Sequence, residues 1–131
     1  ADVVSRQALA RFGPEPELVL LEARRLLRAG EPDKATTLLL PLTTAEDSYA
    51  AAALSWIATA ELERHRPSYA VGAAKRALEL DPDAAVAIYC LALGLHALGD
   101  PSARAWLQRA EALEPGRPLI RAALAEERGE Q

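Results

Sequence analysis

The chain has 131 residues, 50% of them hydrophobic and 26% charged, with a formal net charge of −4. That length suits one domain with a modest core. Its 15 basic and 19 acidic side chains are interspersed, so no concentrated cationic footprint exists to displace counterions from nucleic acid, and no nucleic-acid partner is expected.

No apolar run approaches the roughly 20 residues that span a bilayer. The longest, TTLLLPL, is interrupted by Pro41, and no direct membrane insertion is expected. The N-terminus also lacks a cationic segment followed by an apolar stretch and a small-residue cleavage site. The chain starts at Ala1 and holds no methionine; it reads as an excised fragment or a processed product. The compartment stays open between the cytoplasm and, for a processed product, the periplasm. The single Cys90 excludes an internal disulfide framework. Arg outnumbers Lys 13 to 2, which with the alanine content points to a GC-rich, bacterial coding sequence.

Alanine and leucine dominate while aromatic and β-branched residues are sparse, a composition that favours helices. Residues 2–12, DVVSRQALARF, read as the second helix of a truncated preceding unit. Leu18, Leu21, Leu26 and Leu27 then mark a helix before AGEPDKA, and the next helix is cut short by Pro41 after TTLLL. Thr44, with Asp47 three residues on, suggests an N-cap for a longer helix over about 45–65. The stretch KRALELDPDAA ends a helix at Pro82, which lacks the next donor and is expected in the first turn of the following helix. Ile88, Leu91, Ala92, Leu95 and Leu98 share one face, GDP breaks the run, and Ala103, Leu107, Ala110 and Leu113 form a second stripe. Residues 117–128 look like a terminal helix with Leu119, Ile120, Ala123 and Leu124 on its apolar side.

A period underlies these elements. LLRAGEPDKA, ELERHRPSYA and LHALGDPSA end at Ala35, Ala70 and Ala103, spacings of 35 and 33, and Pro82 and Pro115 close two helices 33 residues apart. A period near 34 signals stacked helix-turn-helix units. The expectation is an all-α protein divided at 16–50, 51–84 and 85–116, with 117–128 as a capping helix that turns charge outward.

On these residues the chain resembles the tetratricopeptide repeat family. The match rests on Ala58, Ala70 and Ala77 before Pro82, on Leu91, Ala92, Leu95, Gly99, Ala103 and Ala110 before Pro115, and on Ala23, Gly30 and Ala35. His65 and Arg66 stand where the family has Gly-Asp, the third turn is one residue short, and Pro41 falls inside a helix. The resemblance implies a right-handed superhelix of antiparallel helix pairs, a TPR-like alpha-alpha solenoid, whose first helices line a concave groove for a peptide or partner helix. By position, that groove takes Leu20, Arg24, Leu27 and Arg28, then Ser55, Thr59, Leu62 and Glu63, then Tyr89, Leu93 and His96. A subgroup of the family clamps the acidic tail of chaperones. Its clamp positions here carry Leu20, Arg24, Trp56, Val86 and Cys90, of which only Arg24 offers a charge-assisted hydrogen bond.

Other features have plain readings. His65 and His96 lack the further ligands that zinc needs and read as surface or groove histidines. Cys90 reads as a packed small residue, and Trp56 and Trp106 as packing between units. Arg24 and Arg28 share a helix face able to grip a carboxylate, against a solvated face paired to Glu22 or Glu31. No phosphate loop, nucleophile elbow or metal motif is present, so no enzyme activity and no cofactor are expected. The expected function is an adaptor or scaffold for another protein or peptide. The alternative is a self-associating module, a homo-oligomer joined through residues 2–12, which a polar substitution at Val4 or Leu9 would abolish, or a segment stacked into a longer solenoid of a larger protein.

Overall fold

A computed structural model describes residues 15–129; the helix expected over residues 2–12 lies outside them. The described residues form α1 (Pro16–Arg28), α2 (Pro32–Leu39), a 3-10 turn (Leu40–Thr44), α3 (Ser48–Glu63), α4 (Pro67–Leu80), α5 (Ala85–Ala97), α6 (Ala103–Leu113) and α7 (Pro118–Glu127).

Proline opens α1, α2, α4 and α7, where its missing N–H would have had no intrahelical partner. Pro41 does the opposite work: α2 stops at Leu39 and the chain tightens into the 3-10 turn. Two boundaries differ from the sequence-based expectation. Asp47, not Thr44, caps α3, its Oδ1 accepting the Ala50 N–H at 2.9 Å, while Thr44 donates to the Pro41 carbonyl at 3.4 Å. Pro82 lies outside any first helical turn, because Asp81 accepts from the N–H groups of Asp83 and Ala84 at 3.1 Å each and the resulting turn delays α5 to Ala85.

The ends of α1, α3 and α5 share one device. At the first, the Gly30 N–H donates to Leu27 O and the Glu31 N–H to Leu26 O; His65 with Arg66, and Gly99 with Asp100, repeat the pattern. This is the Schellman ending, which requires a left-handed residue. Gly30 (φ 77°), His65 (φ 58°) and Gly99 (φ 70°) supply it, 35 and 34 residues apart. His65 thus adopts the backbone conformation of the glycine it replaces.

The helices pair as α1 with α2, α3 with α4 and α5 with α6, and α7 stacks on the last pair. Three apolar clusters run through the stack. Leu26, Leu39 and Ile57 join α1 to α3; Leu54, Val71, Leu91 and Leu95 join α3 to α6; Ile88, Leu107, Ile120 and Leu124 join α5 to α7. Each fully buried leucine contributes about 1.5–3 kcal/mol over exposure. Alanines that are wholly buried, among them Ala23, Ala58, Ala70, Ala92 and Ala103, bring helix axes close. The tightest approach is at Gly94, where a Cβ would stand 2.7 Å from Val71 Cγ2 and 3.3 Å from the Pro67 carbonyl oxygen.

Several leucines expected on the apolar stripes are outside the core. Leu21 is 59% exposed, Leu119 60%, and Leu98 and Leu113 49% each. Leu98 caps the end of α5, while Leu113 ends α6. In α1 the buried face runs through Val19, Glu22, Ala23 and Leu26 instead. Glu22 pairs with Arg25, and the buried Glu61 pairs with Arg64 at 2.9 Å and Arg66 at 3.3 Å. Such charges are tolerated because each has a cation beside it.

Between successive pairs the first helices pack directly, α1 on α3, α3 on α5 and α5 on α7, whereas the second helices are held apart. An open cleft of about 450 Å³, floored by Leu91 and Leu95 and walled by Leu78 and Trp106, separates α4 from α6. Packing of this kind curves the array with its first helices inward. The result is an all-α solenoid of stacked helix pairs.

Candidate partner-binding groove

Side chains that bridge one first helix to the next define the inner face. The Tyr49 hydroxyl donates to Glu17 Oε1 at 2.9 Å, linking α3 to α1. The Arg24 guanidinium lies over the Trp56 ring, 4.9 Å from its centre. Thr59 Oγ1 meets Cys90 Sγ at 3.3 Å between α3 and α5. His96 Nε2 sits 2.7 Å from Glu126 Oε2, and Nδ1 3.5 Å from Glu127 Oε2, joining α5 to α7.

Most residues assigned by sequence to the groove retain accessible surface. Leu20, Thr59, Leu62, Tyr89, Leu93 and His96 are half-buried, and Arg24, Arg28 and Glu63 are exposed. Leu20, Leu62 and Leu93 each rest on a different apolar cluster, and Tyr89 bridges two. Each of these four has a flank packed on the core and keeps accessible surface. Leu27 and Ser55 are corrections: at 7% and 3% exposure they belong to the core. The alanine contacts draw the first helices so close that Leu27 is covered, and Ser55 turns its hydroxyl back onto the Ala51 carbonyl at 2.9 Å.

The charges split along the face. Arg25 of the basic cluster is engaged by Glu22, leaving Arg24 over its tryptophan and Arg28 with no ion pair among the described residues. Although Glu63 is exposed overall, partial burial of its carboxyl raises it above the ordinary carboxylate value. Burial likewise raises Tyr89, though Arg117 opposes the shift from 3.8 Å above the ring. Trp56, one of the clamp positions, meets Arg24, and Arg117, Glu126 and Glu127 meet Tyr89 and His96 without having been singled out by sequence. Arg117 and the two glutamates carry no local motif, and only an extension of the first-helix register into α7 points to them.

Cys90 is wholly buried, and burial pushes its thiol up to about 11 despite the Thr59 hydrogen bond, which makes it a packing residue with little thiolate at neutral pH. Trp106 packs between two clusters. His65 is exposed at the turn after α3 and far in sequence from any ligand set. Among the described residues no three His, Cys, Asp or Glu side chains are grouped to hold a metal ion, and no helix is long and apolar enough to cross a membrane.

No protein-family model and no curated protein matches this sequence. Among solved structures, the crystal structure of MamA is similar, with 21% sequence identity and a TM-score of 0.75 over 95% of this chain and 74% of that one. At that identity the likeness concerns the fold. The chain has an all-α, TPR-like superhelical repeat architecture resembling that of MamA.

Proposed function

We propose that this protein is a non-enzymatic scaffold or adaptor that binds a segment of another protein along the face of α1, α3, α5 and α7. In this reading residues 16–50, 51–84 and 85–116 are three tetratricopeptide-like repeats and 117–128 the capping helix. One observation supports it: Leu20, Leu62, Tyr89 and Leu93, on the first helices of three successive pairs, are each half-buried, packed against an apolar cluster and still accessible. Such side chains offer apolar anchors at little ordering cost, because their inner flanks are already fixed. Arg24, Arg28 and Glu63 border them and set orientation.

The test is affinity capture with quantitative mass spectrometry, comparing the native protein, a Leu62→Ala/Tyr89→Ala variant and a Leu80→Ala control on α4. Circular dichroism confirms that all three are folded. A partner lost by the groove variant and kept by the control is the expected result. Equal retention by all three removes the groove from the function.

A further inference from the structure

The first helices of this stack meet in a repeated register, counted back from the left-handed residue that ends each of them, Gly30, His65, Gly99 and Gly129. The side chain six positions before that residue meets the one nine before it on the next helix: Arg24 lies over Trp56, and Thr59 touches Cys90. The side chain three before it meets those three and two before it, as His96 meets Glu126 and Glu127. The side chain ten before it meets the one twelve before it, as Tyr89 meets Arg117.

Among the described residues this surface is uncovered at both ends of the stack. On α1, Leu21 and Arg25 are exposed. Their register equivalents, Trp56 and Ala60 on α3 and Cys90 and Gly94 on α5, are buried or half-buried against the helix pair before them. On the far side of α7, Leu119 is 60% exposed, and Ala122 and Glu126 are exposed as well.

Carried one step further, from α7 of one copy of this chain to α1 of a second, the register makes three contacts. Leu119 falls on Leu18, the small Ala122 and Ala123 fall beneath Leu21, and Glu126 falls on Arg28, which has no ion pair among the described residues. Each contact is complementary: apolar on apolar, small against large, and carboxylate on guanidinium.

Independently of the groove, we propose that these two faces join copies of this chain head to tail, α7 of one against α1 of the next. The joint is heterologous, so every assembly keeps one free α1 face and one free α7 face and grows instead of closing at two copies. One helix face on another is smaller than the roughly 1,200–2,000 Å² of a standard interface, so the joint forms at high protein concentration.

The test is sedimentation equilibrium from micromolar to millimolar protein, where the mean mass should climb past two copies without a plateau. Arg28→Glu sets a carboxylate against Glu126 and should weaken the association at least about tenfold, and Arg28→Glu/Glu126→Arg should restore it. Thermal melts check folding, and if the double variant melts early, Leu119→Glu, expected to abolish the rise in mass, takes its place. Copies carrying Cys90→Ala with Leu18→Cys, mixed with copies carrying Cys90→Ala with Leu119→Cys, should be linked by a short bismaleimide, whereas neither links to itself. A monomer throughout, a plateau at two copies, association indifferent to Arg28→Glu or Leu119→Glu, or self-linking of either cysteine variant overturns the proposal. A cross-link within one copy between Val4→Cys and Leu18→Cys assigns the α1 face to residues 2–12 of the same chain and overturns it too.

Discussion

His65→Gly is expected to stabilise the protein. His65 holds φ 58° at a position where the equivalent turns use Gly30 and Gly99, and a left-handed conformation costs a side-chain-bearing residue about 1–2 kcal/mol. Glycine removes that cost but loses more backbone freedom on folding, by about 0.5–1 kcal/mol. The His65 ring is exposed and makes no hydrogen bond or ion pair among the described residues, so nothing else is forfeited. The net gain is about 0.5–1 kcal/mol, which at this chain length raises Tm by about 2–4 °C. Urea titration gives the free energy and calorimetry the temperature, with Gly99→Ala as the reverse experiment, expected to cost about 1–2 kcal/mol. A lower urea midpoint for His65→Gly at unchanged slope refutes the reasoning, because it would mean that the histidine side chain contributes more than its backbone costs.

Five further outcomes follow from the same packing. Gly72→Ala, in an ordinary helical conformation with open space around the added methyl, should raise stability by about 0.5–1 kcal/mol, whereas Gly94→Ala should lower it by about 1–3 kcal/mol through the contact with Val71 and Pro67; paired urea melts decide both signs. Asp47→Ala removes the side-chain acceptor at the start of α3 and should cost about 1 kcal/mol, with Asp47→Asn recovering most of it. Leu107→Ala should cost about 2–5 kcal/mol, since Leu107 is wholly buried. Cys90 has a thiol pKa raised to about 11 from 9.0, so below pH 9 both folded and unfolded forms hold the proton, and above it the unfolded chain ionises first. Its contribution is therefore complete below pH 9 and falls by about 2–3 kcal/mol as pH rises through 11. The stability gap between the native protein and Cys90→Ala should shrink over that window, and a constant gap would show that the thiol does not titrate with folding.

Much of the fold was legible because helix-forming composition, opening prolines and the recurrence of small residues at Ala35, Ala70 and Ala103 all reported the same period. What sequence patterning missed has physical reasons. In α1 the leucines invited a stripe through Leu18 and Leu21, but the helix turns Glu22 inward beside Arg25 and leaves Leu21 outside; a buried carboxylate with a cation at its edge is invisible to a pattern of apolar positions. Thr44 was read as the cap with Asp47 as the acid three residues on, but the 3-10 turn at Pro41 takes in Thr44 and leaves Asp47 to cap α3. The turn at His65 looked like a departure because histidine hides a conformation that glycine advertises. Of the residues that family position assigns to the groove, Leu20, Leu62, Tyr89 and Leu93 keep accessible surface, while Leu27 and Ser55 are buried, which depends on how close the alanines across the contact bring the helices.

The one-sided packing of the helix pairs also has a mechanical consequence. Flexing the stack requires inner contacts between α1, α3, α5 and α7 to slide against close-packed side chains, but asks little of the outer edge, where α4 and α6 have an open cleft between them. The array therefore resembles a strip with a stiff inner ply and a loose outer one: bending is absorbed by the gaps at the back. On this packing a change of curvature should leave the pitch of the inner helices nearly constant and be taken up at the outer edge.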